Sequence, residues 1–178
     1  MKASPVTLVR RLIAYGIDWY LATMLAGIPL LLVNSIENAS TAIDTSIPDG
    51  TGGILWGMVA ILLGLFYYWL IPVLWNGMTP GKKLMHLRIV SIKNGEKPSV
   101  GALLLRQGLG VLLIEGATAF PSTLMREMLA RLVGESAVSV LQTVMVVLTL
   151  ISVSIGIYTP QKRMIHDYLS GTIEVFEE

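Results

Sequence analysis

Three ionisable residues, Asp18, Arg106 and Glu115, stand inside long apolar runs, and Arg11 stands at the edge of one. A charge at the centre of a membrane helix costs roughly 2.5 to 3.5 kcal/mol on insertion scales, so each needs a charged partner, a hydrated cavity or a function. The chemistry such residues can do is proton or cation binding. Desolvation raises the pKa of a buried carboxylate and a nearby arginine lowers it, which poises Asp18 for exchange. Spacing decides which residues can meet. Arg11 and Asp18 share a helix face but lie two turns, roughly 10 Å, apart, a long reach for direct contact. Asp18 and Arg106 lie at similar depth in two helices that start at the same surface, so an ion pair between them is expected. Glu115 is about 13 Å beyond Arg106 on nearly the opposite face, and is expected near the outer interface with its carboxylate reaching water. A static staple that fixes helix register, with no ligand, explains the same charges equally well.

A second candidate feature is a repeated motif. Thr79-Pro80-Gly81-Lys82-Lys83-Leu84-Met85-His86 reappears eighty residues later as Thr159-Pro160-Gln161-Lys162-Arg163-Met164-Ile165-His166. Its recurrence at equivalent topological places suggests two tandem helical hairpins of the same orientation, related by an axis along the membrane normal. Convergence is the alternative, because Thr-Pro helps to stop a helix and Lys/Arg is common at a cytoplasmic membrane edge. Each motif runs into a strand-like stretch, residues 87–92 and residues 171–176, and the two are expected to pair as a small cytoplasmic sheet with a structural role. His86 and His166 are read as interfacial hydrogen-bonders, since two histidines without cysteine make a poor metal site.

The elements that must position these residues follow from composition. Of 178 residues, 53% are hydrophobic and 14% charged, which excludes an ordinary water-soluble domain. The absence of cysteine excludes disulfides and thiolate sites. A formal net charge of +1 gives no general attraction to nucleic acid. A helix needs about 20 apolar residues to cross a bilayer. Four stretches qualify, residues 12–33, 54–74, 100–120 and 138–157, and the expectation is a single all-α membrane domain over residues 1–178. The first stretch is too long, and too charged at Asp18, for a cleaved signal peptide.

Cytoplasmic segments are then residues 1–11, 75–99 and 158–178. They hold Lys2, Arg10, Arg11, Lys82, Lys83, Arg88, Lys93, Lys97, Lys162 and Arg163, while the opposite loops hold only Arg126 and Arg131. That asymmetry places both termini in the cytoplasm. The first outer loop is polar and includes the sequon-like Asn38-Ala39-Ser40, a pattern too short to carry weight. Residues 121–135 have helical apolar spacing, with Arg126, Glu127 and Arg131 on the other face. They form either a short helix in the outer interface or one packed on neighbouring loops or another subunit.

Arg11-Leu12-Ile13-Ala14-Tyr15-Gly16-Ile17-Asp18, the segment Gly77 to Val90 and the segment His166 to Thr172 resemble, in order, the signatures of the RDD family, named for one arginine and two aspartates. The resemblance makes Arg11 the arginine, Asp18 the first aspartate and Asp167 the second. It implies a membrane protein in which transport is suggested, with sodium/proton antiport proposed for some members.

Two functions fit. One is a secondary transporter in the bacterial cytoplasmic (inner) membrane, exchanging monovalent cations and protons at Asp18. Four helices leave little room for alternating access, so this reading calls for a homo-oligomer, packed through Gly101, Gly108, Gly110 and Gly116. The other is a non-transporting scaffold or assembly factor whose basic cytoplasmic face meets membrane lipid. No cofactor is expected. Neither is an enzyme, because no phosphate loop, metal cluster or nucleophile and base can be recognised.

Overall fold

A computed structural model describes residues 6–38 and 43–177. Lys2 and the Ala39-Ser40 part of the sequon lie outside the described residues. The chain is mostly helical. Helix α1 spans Leu8–Asn38, α2 spans Gly50–Leu74, α3 is the short Pro80–Leu84, and strand β1 is Leu87–Ser91. Helix α4 covers Val100–Ile114, α5 covers Phe120–Val133, α6 covers Glu135–Tyr158 and α7 covers Ile165–Ser170, before strand β2 at Thr172–Phe176. Three helices, α1, α2 and α6, are long and apolar enough to cross a membrane.

The third expected span is different. Its helix stops at Ile114, and ten of its residues, Leu105–Ile114, are wound as π-helix. After a break at Glu115 to Ala119 the chain resumes as α5, in place of one unbroken helix over residues 100–120. Pro121 at the start of α5 lies against Gly64 of α2, and Phe120 lies near Gly27 of α1. Farther along α5, the Glu127 carboxylate accepts the Ile47 amide at 2.8 Å and the Arg131 guanidinium donates to the Ile47 and Pro48 carbonyls. So α5 runs beside α1 and α2 back to the loop that precedes α2, and its polar residues grip that loop. An apolar run alone does not reveal such a break, because two half-helices and one whole helix have the same hydropathy.

The small core sits between these helices. Ala22, Tyr67, Tyr68, Leu112 and Ala119 form one buried cluster, and Leu30, Ile47, Ala60 and Leu124 another. Much of the remaining apolar surface is exposed, including Leu62, Leu74, Val140 and Leu150, as expected of helices with a lipid-facing side. Widening of α2 to a π-turn over Phe66–Leu70 comes just before Pro72, which has no N–H to donate and cannot continue a tight α-turn without strain.

The expected sheet forms, with β1 antiparallel to β2 and Ile89 opposite Glu174 at its centre. It also shows how the sequence repeats. The matching register is eighty-five residues, not eighty: it carries the start of α3 onto the start of α7 and Leu87–Ser91 onto Thr172–Phe176. Left-handed backbone recurs at the same spacing, at Gly77 and Lys162 and again at His86 and Gly171. The sheet is closed at each end by equivalent bonds, Glu177 N–H to the His86 carbonyl at 2.9 Å and Ile92 N–H to the Gly171 carbonyl at 3.0 Å. Thr159-Pro160 therefore does not correspond to Thr79-Pro80.

Candidate functional site

Asp18 is buried on α1 and accepts three donors. Its Oδ1 takes the Tyr67 hydroxyl at 2.7 Å and the Gly81 amide at 2.8 Å, and its Oδ2 takes the Thr79 hydroxyl. The Thr-Pro-Gly motif explains this geometry. Thr79 is the N-cap of α3, with its hydroxyl oxygen facing the Lys82 amide. Pro80 fills the first helical position, where no N–H is needed. Gly81 lets the backbone approach, since a Cβ there would lie 2.2 Å from the Ala14 carbonyl oxygen and 2.8 Å from the Asp18 carboxyl carbon.

The expected Asp18–Arg106 pair does not form. Arg106 instead donates to Asp167 and to Thr172 at 2.9 Å, and pairs with Glu174 at 2.6 Å. Arg11 binds the same two acids, Asp167 at 2.6 Å and Glu174 at 2.8 Å, and donates to the Lys162 carbonyl. Lys82 reaches Glu174 at 3.5 Å. The result is a buried cluster of three cations and two carboxylates in which Asp167 is fully buried. Burial alone would raise both carboxyls, but their cations outweigh it. Arg106, with help from His166 and Arg11, holds Asp167 well below the usual carboxylate range, and Arg11, Lys82 and Arg106 do the same for Glu174.

Glu115 is not at a wet outer edge. It is 9% exposed at the end of α4 and points back to the C-terminal segment. Its Oε2 lies 2.8 Å from His166 Nδ1, while its Oε1 accepts the His166 amide at 3.0 Å and the Ser152 hydroxyl at 2.7 Å. Ser152 in turn accepts the Ile165 amide at 2.8 Å. Close approach again depends on glycine: a Cβ on Gly110 would lie 2.4 Å from that of His166. Gly108 packs on Trp69 and Gly116 under Ser122, so three of the four glycines read as an oligomer face are used within the chain.

Sequence reasoning missed several members of the site. Glu174 carried a signal: alternation along β2 puts Thr172 and Glu174 on one face, and that face turns inward to the arginines. Arg126, read as a polar-face residue, is buried, and its guanidinium donates to the Gly116 carbonyl at 3.0 Å, the Ala117 carbonyl at 3.2 Å and the Thr123 hydroxyl at 2.9 Å. It satisfies carbonyls left open where the chain breaks after α4. Nothing in its local sequence marks this role.

Between α1, α4 and α6 lies a cavity of about 130 Å³. Its lining includes the acids Asp18, Glu115 and Glu174, the bases Arg11 and Arg106, and His166, Tyr68 and Gln107. Tyr68 is 3% exposed and its hydroxyl has no hydrogen-bond partner among the described residues. Leu12 and Thr118, both exposed, stand at its rim. Of the residues singled out in the sequence, Arg11 and Arg106 meet at Asp167, Asp18 meets Thr79 and Gly81, and Glu115 meets His166, while Asp18 and Glu115 reach one cavity from separate positions.

The family model described as RDD family matches residues 5–171, nearly the whole chain. Comparison with curated proteins and with solved structures gave no match.

Proposed function

The chain belongs to the RDD family, and from its buried site we propose that it is a membrane transporter exchanging a monovalent cation for protons through the cavity beside Asp18. In this reading α4 and α5 together make a fourth, broken crossing, the two hairpins lie side by side, and both termini face the cytoplasm of a bacterial inner membrane. Broken helices are the usual way in which transporters place polar backbone at membrane depth. The observation that carries the proposal is the cavity itself. A purely structural core would fill such a space, whereas this one keeps three carboxylates, Asp18, Glu115 and Glu174, and a Tyr68 hydroxyl without a partner among the described residues on its wall. A homo-oligomer, with lipid or a second copy against the exposed side of α6, completes the working unit.

A scaffold is the second reading. It is favoured by the hydrogen bonding of the charges, since Arg11, Asp18, Asp167 and Glu174 all have protein partners at 3 Å or closer. Cation flux decides between the two. Protein reconstituted in liposomes with an imposed pH gradient is expected to move sodium or potassium against protons. Asp18→Asn should abolish the flux and Tyr68→Phe should reduce it severalfold, with both variants folded. A silent wild type across sodium, potassium and lithium selects the scaffold.

A further inference from the structure

We infer that Glu115 and His166 form a proton-binding site on the cavity wall, with His166 Nε2 as the atom that takes the proton. The imidazole lies between two carboxylates. Nδ1 is 2.8 Å from Glu115 Oε2, and Nε2 is 3.7 Å from Asp167 Oδ2. In the neutral ring Nδ1–H donates to Glu115, which leaves Nε2 without a proton 3.7 Å from a carboxylate oxygen, two acceptors close to each other. One proton from the cavity removes that conflict, because Nε2 becomes an N–H of a cationic ring beside the Asp167 carboxylate. No bond breaks in the protein, and the ring gains one positive charge.

The surroundings are nearly balanced, so this added charge matters. Arg106 on α4 and Arg11 on α1 both bind Asp167, and with Lys82 on α3 they also bind Glu174 on β2. Arg163 donates to the Asp167 backbone carbonyl at 3.0 Å. Tyr15 of α1, bonded to Thr118, and Tyr68 of α2 are further titratable groups in the cavity lining, and α6 contributes the Ser152 hydroxyl, bonded to Glu115. Asp18 has no imidazole among its partners, which are the Tyr67 and Thr79 hydroxyls and the Gly81 amide. Histidine is also the side chain whose ordinary titration falls in the physiological range.

Position gives the site a consequence. The carboxylate that receives the ring also holds the first turn of α7, through the His166 amide and through Ser152. A proton at His166 thus acts where the C-terminal segment docks on α4, at the edge of the cavity. Assigning that proton to exchange rests on the transport reading, but its binding does not.

With only two histidines in the chain, NMR of protein labelled with ¹⁵N-histidine in detergent tests this directly. In His86→Gln the one remaining imidazole should titrate as a single proton between about pH 5 and 9. Adding Glu115→Gln should lower its midpoint by about one unit or more, because an opposite charge at this range favours the imidazolium by that much. Adding Asp18→Asn should leave the midpoint within a few tenths. A flat signal in His86→Gln alone overturns the site, even where Glu115→Gln does not fold. Titration without cation flux keeps the site and removes the transport reading, whereas flux with a flat histidine removes only the site.

Discussion

The Asp18 end and the Glu115 end of the molecule have the same construction and different chemistry. In each, a buried carboxylate accepts a backbone N–H of a short helix, the Gly81 amide of α3 or the His166 amide of α7, and a glycine allows the approach, Gly81 at one end and Gly110 at the other. Each short helix then leads through a left-handed residue into one strand of a shared sheet. At the first end the other donors are the hydroxyls of Tyr67 and Thr79. At the second, the place is taken by an imidazole. A repeated frame thus carries a hydroxyl-bound carboxylate at one end and an imidazole-bound carboxylate at the other, with the Arg11, Arg106, Asp167 and Glu174 cluster joining them.

The joining cluster should matter most. Arg106→Gln leaves Asp167 and Glu174 short of their central cation, and loss of one member of a buried ion pair costs about 3 to 5 kcal/mol. Unfolding in detergent should show a loss of that order, whereas Arg131→Ala, at a partly exposed site, should lose less than about 1 kcal/mol. Next come the two glycines. Gly81→Ala and Gly110→Ala each force a methyl into contact distances that real side chains do not adopt. Both should cost about 1 to 3 kcal/mol in the same assay. A loss at only one would break the likeness of the two ends.

Acid should act on the cluster in a defined direction. The folded-state pKa values of Asp167 and Glu174 are depressed, so their contribution is complete above the ordinary carboxylate range and is lost as pH falls through it towards the folded values. The free energy of unfolding should therefore drop below about pH 4, by up to about 1.4 kcal/mol per pH unit for each carboxylate, and the thermal midpoint with it. Asp167→Asn should start less stable and fall less steeply. The smallest effects belong to single hydroxyls: Thr79→Val and Ser152→Ala should each cost about 1 kcal/mol.

Much of this frame was legible in the residues. Apolar length gave α1, α2 and α6, the alternation of residues 87–92 and 171–176 gave the sheet, and intramembrane charge singled out Asp18, Arg106 and Glu115. Their partners were not legible. Counting depth from helix starts paired Asp18 with Arg106, because it placed residues 75–99 and 158–178 outside the bundle. In the fold these segments turn back, and their own groups, Thr79, Gly81, His166, Asp167 and Glu174, satisfy the buried charges. The residue types repeat at a spacing of eighty, whereas the elements repeat at eighty-five, so the motif did not give the structural register. Backbone conformation, with left-handed residues at Gly77 and Lys162 and at His86 and Gly171, corrects it.

The most direct test of the account is the pH dependence of cation flux in liposomes for two single variants, His86→Gln and His166→Asn, the second of which keeps an N–H donor near the position of Nδ1. The prediction is that His86→Gln retains the wild-type pH profile and His166→Asn loses its histidine limb while still folding. Superimposable profiles for the two variants, or a limb that vanishes in His86→Gln, would contradict it.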